Sequence, residues 1–180
     1  MLIARLRLRK CFLRAPTTDA SPASAPVNED DLLTRLSVEL VPNPGTQGEM
    51  EQNAIINYAI DNLLDVQRSP TGLYYQIVEP GEGNKIRWGQ KATAHYTGEL
   101  LNGKTFDSSV ARGMPLVFTV GNMVQGWNEG IQMLRPGGKA ILLLPSRLGY
   151  KDKGFITPQG DTIIPPNEPL RFDLEVLENK

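Results

Sequence analysis

After Gly72, apolar and polar positions alternate with a period of two over most of the chain. Leu73, Tyr75 and Ile77 interleave with Tyr74, Gln76 and Val78; Ala92, Ala94 and Tyr96 with Thr93, His95 and Thr97; Leu116, Phe118 and Val120 with Val117 and Thr119. This alternation predicts strands with one face turned to a core. Leu170, Phe172, Leu174 and Val176, separated by Arg171, Asp173 and Glu175, give the clearest strand, and residues 139–144 form a mostly apolar run. Antiparallel pairing is implied.

Two segments carry helical spacing instead. Thr46-Gln47-Gly48-Glu49 has the spacing of a capping box, and Ile56, Ile60, Leu63 and Leu64 then fall on one stripe with Asn53, Asn57 and Asp61 opposite. With Ser69-Pro70-Thr71-Gly72 as its stop, this predicts an amphipathic helix over 47–67. Its plain reading is a helix packed on its own domain; the alternative is a dimerisation arm. Trp127, Ile131 and Leu134 predict a second, short helix over 127–134, stopped by Arg135-Pro136-Gly137-Gly138. The expected class is α+β: a curved antiparallel β-sheet of about five strands wrapped around one short α-helix, preceded by an N-terminal amphipathic helix.

Charge changes the picture only at the N-terminus. Arg5, Arg7, Arg9, Lys10 and Arg14 precede the first acid, Asp19, and residues 15–30 are rich in Ala, Pro, Ser and Thr. Residues 1–45 therefore read as a leader and disordered linker, 46–69 as a helical extension and 70–180 as the main domain. The formal net charge is −1, so the remainder without the leader is mildly acidic and nucleic acid is not expected as a partner. The arginines break any apolar centre of a secretory signal, and no stretch reaches the roughly 18 apolar residues of a membrane span.

Cys11 is the one cysteine and His95 the one histidine. An intrachain disulfide framework is thereby excluded, and too few soft ligands remain for a structural zinc site; no metal or cofactor is expected. A Cys–His nucleophile has no cysteine in the body of the chain, and a Ser–His–Asp triad would need His95, to which no serine motif points. His95 is read as a strand residue opposite Tyr96 without a catalytic role. Gly81-Glu82-Gly83-Asn84 is read as a turn, since no third glycine opens a helix after it.

Four strings in register give a more specific signal. HYTGELLNGKTFDSS at 95–109, Gly126-Trp127 followed by NEGIQML, LPSRLGY ending at Tyr150, and IIPPNEPLRFDLEVL at 163–177 resemble the FKBP-type peptidyl-prolyl cis-trans isomerases. The resemblance does not extend to residues 1–45. It implies an isomerase that assists protein folding by rotating Xaa-Pro bonds, with a non-catalytic client-binding module of the same fold as the alternative. It also implies catalytic roles for Tyr96, Asp107, Trp127, Tyr150 and Phe172, and a proline pocket completed by Phe106, Leu116, Phe118, Met123, Val124, Ile163 and Ile164. Expected partners are proline-containing polypeptides and macrolides of the rapamycin class. The chain departs from the family pattern at Leu116, Met123 and Lys151, and its segment 151–162 is longer than the shortest family versions, which bears on substrate preference. The helix-plus-domain arrangement resembles bacterial cell-envelope members, although Leu8-Arg9-Lys10-Cys11 lacks the small apolar residues of a lipobox; cytoplasmic and organellar locations are the alternatives.

Overall fold

The computed structural model describes residues 28–179, so the readings of the basic leader, of Cys11 and of the first part of the linker lie outside the described residues. In chain order the elements are α1 (Glu29–Ser37), α2 (Gln47–Asp61), β1 (Gln67–Arg68), β2 (Tyr74–Glu79), β3 (Lys91–Leu100), β4 (Thr105–Ser108), β5 (Leu116–Thr119), α3 (Gln125–Ile131), β6 (Lys139–Leu144), β7 (Phe155–Ile156), β8 (Thr162–Ile164) and β9 (Leu170–Asn179). The main sheet runs β1-β2-β6-β9-β3-β4, with β5 also on β3, and every pairing is antiparallel. One edge of β3 is shared: Lys91–Ala94 pair with β5, whereas Thr97–Glu99 pair with β4. β4 and β5 thus act as one interrupted strand, and the sheet is five strands wide apart from the two-residue β1. β7 and β8 form a separate small hairpin within the long segment after Tyr150.

The inward faces behave as the alternation predicts. Ala92, Ala94 and Tyr96 of β3, Leu142 and Leu144 of β6, and Leu170, Phe172, Leu174 and Val176 of β9 share one core with Trp127 and Ile131 of α3. α3 starts at Gln125 and ends at Ile131, two residues earlier and three residues shorter at its end than expected, although Leu134 beyond it stays buried. It lies hard against the sheet. A Cβ at Gly126 would fall 2.6 Å from Leu144 Cγ, and one at Gly130 would fall 2.3 Å from Leu142 Cδ1, so the glycines set the approach distance.

β6 is apolar throughout because both of its faces are covered. Leu143 and Ile141 face away from α3 into a second cluster with Ile55, Ile56 and Ala59 of α2, Leu32 and Leu36 of α1, and Tyr74, Leu64 and Val66. α2 therefore packs on the convex side of the sheet. Its N-terminus carries the predicted capping box: Glu49 N–H donates to Thr46 Oγ1 at 3.3 Å, and Glu49 Oε2 accepts from the N–H groups of Thr46 and Gly45 at 2.9 Å each. The backbone donors, that of Thr46 first, hold the Glu49 carboxyl below its ordinary value.

Two expectations are corrected here. α2 stops at Asp61 rather than 67, because Leu63 takes a left-handed conformation (φ 53°) and a Schellman motif closes the end, with Leu64 N–H donating to Ala59 O and Leu63 N–H to Ile60 O. Glycine is the usual marker of that position, and its absence hides the stop. The stripe shifts accordingly: Ile55, Ile56 and Ala59 are buried, Ile60 is half-buried and Leu63 is exposed.

The second correction concerns residues 28–45, which are not a disordered linker. Asn28 caps α1 by accepting from Asp30 N–H at 3.1 Å; Glu29, Asp30 and Asp31 sit at its positive end and Arg35 at the other. Arg35 donates to Val66 O at 3.1 Å and pairs with Asp65. The return segment is held by α2, where Asn53 bonds both the N–H and the carbonyl of Val41, at 2.8 and 2.9 Å, and Gln52 Nε2 donates to Glu39 O at 2.7 Å.

Leu143 tests the energetic weight of the outer layer. Leu143→Ala should lower unfolding free energy by about 2–5 kcal/mol, the range for truncating a buried leucine, with an unchanged denaturant slope. Urea denaturation followed by circular dichroism reads both quantities.

Candidate functional site

The inner core opens at one end into a pocket of about 200 Å³ lined by Tyr96, Phe106, Asp107, Asn122, Met123, Val124, Trp127, Tyr150 and Phe172. Each wall comes from a different element. β3 supplies Tyr96, β4 Phe106 and Asp107, the 121–124 loop Asn122, Met123 and Val124, α3 Trp127, the turn after β6 Tyr150, and β9 Phe172.

Trp127 is the centre of an edge-to-face array. Its ring lies 5.0 Å from Tyr96, 5.4 Å from Phe172 and 5.7 Å from Phe118 (centroid distances), each within a few degrees of perpendicular; Phe106 meets Phe172 in the same way at 5.6 Å. Such pairs add about 0.5–1.5 kcal/mol each beyond area burial, so the indole orientation is strongly determined. Its Nε1–H is buried without a hydrogen-bond partner among the described residues. β3 makes room for the array at Gly98, where a Cβ would lie 2.6 Å from Phe106 Cζ and 2.9 Å from Phe172 Cε1.

The polar side of the pocket is compact. Tyr96 O–H donates to Asp107 Oδ2, Arg112 pairs with Asp107 Oδ1, and Arg112 Nη2–H donates to Tyr96 Oη at 3.2 Å with its guanidinium 5.8 Å from that ring. The ion pair is near half-exposed and contributes little stability by itself. What it does is fix a geometry: Asp107 holds Tyr96 against the indole. Burial, then the bond to Asp107, pushes the Tyr96 phenol up from its ordinary value.

Tyr150 differs. Its ring leans on Phe155 at 5.9 Å, and among the described residues its hydroxyl has no hydrogen-bond partner. Burial, followed by the negative charge of Asp107, pushes its phenol up from its ordinary value, which favours the protonated form.

Eight of the twelve sequence-predicted residues, namely Tyr96, Phe106, Asp107, Met123, Val124, Trp127, Tyr150 and Phe172, meet at this pocket. The other four do not line it. Phe118 backs the indole, and Ile164 is fully enclosed in the core; Leu116 and Ile163 are half-buried and packed on that core. Alternation put Leu116 and Phe118 on an inward face but did not give their depth, whereas Ile163 and Ile164 rested on the family resemblance alone. Three polar side chains were missed: Asn122 on the lining, Arg112 behind Asp107, and the buried Asn128. Asn128 accepts from Gly121 N–H at 2.8 Å and donates to Met123 O at 2.5 Å, tying the 121–124 loop to α3. Asn128 lies off the Trp127, Ile131 and Leu134 stripe, so helical spacing gave no signal of its burial. His95 lies on the opposite face of β3 with Nδ1 3.1 Å from Ser109 Oγ, away from the pocket lining.

Comparison with known proteins places this pocket in context. The family model described as FKBP-type peptidyl-prolyl cis-trans isomerase matches residues 82–177. A probable FKBP-type peptidyl-prolyl cis-trans isomerase of Haemophilus influenzae is 42% identical over 63% of this chain and 45% of its own length. The FKBP-type peptidyl-prolyl cis-trans isomerase FkpA of Escherichia coli K12 is 33% identical over 97% of this chain and 66% of its own. The chain thus spans about half to two thirds of the length of these two relatives. The crystal structure of Escherichia coli FkpA superposes with a TM-score of 0.62, covering 82% of this chain and 63% of that one.

Gly98 allows the packing of the pocket rings to be tested. Gly98→Ala must displace Phe106 or Phe172 and should cost about 1–3 kcal/mol, as other overpacking substitutions do. Thermal unfolding measures that loss, and NOEs between the Phe106 and Phe172 rings report whether they part.

Proposed function

Because this chain belongs to the FKBP-type peptidyl-prolyl cis-trans isomerase family, we propose that it is itself an active isomerase that rotates Xaa-Pro bonds of polypeptide substrates and so assists their folding. The observation that carries the reading is the junction of an aromatic-walled cavity with one unpartnered phenol, that of Tyr150.

The chemistry needs little else. Rotation about an Xaa-Pro amide meets a barrier of about 18–20 kcal/mol because the planar bond has partial double-bond character. No bond to carbon or nitrogen breaks, so catalysis consists of binding the twisted amide better than the planar one. Twisting removes resonance and its charge separation; a dry cavity walled by Phe106, Val124, Trp127 and Phe172 therefore disfavours the planar amide more than the twisted one. Trp127, held by three perpendicular rings, is the surface on which the pyrrolidine ring rests. Tyr150 O–H donates to the carbonyl preceding proline. Asp107, already engaged by Arg112, keeps Tyr96 in place rather than meeting the substrate with a free charge. A thousandfold acceleration requires about 4 kcal/mol of differential binding, within reach of a few such contacts.

Phe155 and Ile156, exposed beside Tyr150 on the β7–β8 hairpin, extend an apolar surface for residues flanking the proline. The same cavity would admit macrolides of the rapamycin class as competitors. No helix among the described residues is long and apolar enough to cross a membrane.

The direct test is cis-to-trans relaxation of a short Xaa-Pro-Phe peptide. We expect clear acceleration by micromolar protein, inhibition by rapamycin, and a kcat about tenfold lower in Tyr150→Phe with KM little changed, as expected for loss of a hydrogen bond made mainly in the transition state. A rate equal to buffer alone ends the proposal. The Tyr150 phenol is raised in the folded enzyme and active as the neutral donor. Activity should therefore be retained up to about pH 10, the ordinary phenol value, and be lost only above it as the proton leaves. That alkaline limb should be missing from Tyr150→Phe.

A further inference from the structure

We propose that Glu51, on the convex-side helix α2, is a positioning residue for Tyr150: its buried carboxylate clasps Ser146 and fixes the turn that delivers the phenol to the pocket. The inference rests on the isomerase reading of that pocket and adds a residue on the other side of the sheet to its machinery.

Glu51 is only 4% exposed, on the face of α2 that otherwise carries Ile55, Ile56 and Ala59. Apolar packing alone would dock this helix, and a carboxylate is a costly choice at such a position unless its oxygens are bonded. Both are bonded, and to the same residue. Ser146 N–H donates to Oε2 and Ser146 Oγ–H to Oε1, each at 2.7 Å, while Gln47 Nε2–H donates to Oε1 at 3.0 Å. Bonds to a charged acceptor are about twice as strong as neutral ones, so the clasp is the firmest polar contact between α2 and the sheet domain.

Ser146 opens the 3-10 turn Ser146–Leu148, and Tyr150 follows almost at once, just before a second 3-10 turn, Lys151–Lys153. Leu148 N–H donates to Pro145 O and Gly149 N–H to Ser146 O, both at 2.9 Å, which transmits the position of Ser146 through the turn. The far side of Tyr150 is tied as well: Lys151 O accepts from Asn167 N–H at 2.8 Å, and Asn167 O accepts from Gln47 Nε2–H at 3.4 Å. The first two turns of α2 thus hold the Tyr150 segment before and after the tyrosine. This matters because, among the described residues, the phenol has no hydrogen bond of its own to hold it; its ring leans on Phe155 of the hairpin. In a catalyst that works by placement, a shift of about 1 Å in one donor can cost as much as a hundredfold.

A double-mutant cycle tests the inference. Glu51→Ala should lower kcat/KM about tenfold in the wild-type background but less than about twofold in Tyr150→Phe, where no phenol is left to place. Glu51→Gln should stay within about twofold of wild type, because its amide oxygen can accept from Ser146 N–H and its amide N–H groups can donate to Ser146 Oγ and to Gln47 Oε1 once the Gln47 amide turns over. Independently of turnover, the NOEs between the Tyr150 and Phe155 rings should weaken in Glu51→Ala and persist in Glu51→Gln. Unchanged kcat/KM and NOEs in a Glu51→Ala protein that merely melts lower would overturn the inference, as would an equal loss in both backgrounds. A wild-type protein that does not isomerise sinks the isomerase reading instead, while the NOEs still decide the clasp. If Glu51→Ala does not fold, Ser146→Ala, which removes one of the two bonds, replaces it in the same cycle with an expected loss of about threefold.

Discussion

An indole wedged between three aromatic edges on the inside of a curved sheet is the contact on which the remaining architecture depends. Trp127 can occupy that place only because Gly126 and Gly130 let α3 lie against Leu144 and Leu142, and because Gly98 leaves Phe106 and Phe172 room to close around it. The rings satisfy one another edge to face and leave a flat apolar surface toward the opening. A cavity persists there because the array is rigid, whereas loosely packed aliphatic side chains would collapse into the space.

β6 joins this inner array to the outer layer. Leu142 and Leu144 face α3 while Ile141 and Leu143 face α2 and its neighbours, so a single strand is the shared floor of two cores. The chain then leaves β6 directly into Pro145 and Ser146, where the outer helix grips it, and into Tyr150, where the pocket begins. The two layers therefore meet not at a flexible linker but at a hydrogen-bonded turn. α2 is in this sense a structural wall of the domain rather than an appendage to it.

Much of this was legible in the sequence, and the omissions have physical causes. Period-two alternation located the strands and the inward faces of Tyr96, Phe118 and Phe172, because a half-buried antiparallel sheet enforces that pattern. It could not say that the indole would stand between Phe118 and the cavity, since depth depends on packing across elements. The capping box at Thr46 and Glu49 marked the start of α2, whereas its end was hidden by a leucine in a conformation usually left to glycine. α1 buries only Leu32 and Leu36, too few apolar positions to stand out from a polar stretch. Arg112 and Glu51 escaped notice for a common reason: a charged side chain reveals its role only through the partners the fold brings to it, Asp107 across the turn after β4 for Arg112 and Ser146, 95 residues on, for Glu51.

The place of β9 carries a consequence for synthesis on the ribosome. This strand, the last among the described residues, is inserted between β6 and β3, pairing with both, and brings Phe172 to the array. Until β9 emerges, β2 and β6 have no ladder connecting them to β3, β4 and β5, and the nascent polypeptide consists of two unjoined half-sheets. Closure awaits contacts of long sequence separation, which are intrinsically slow to form.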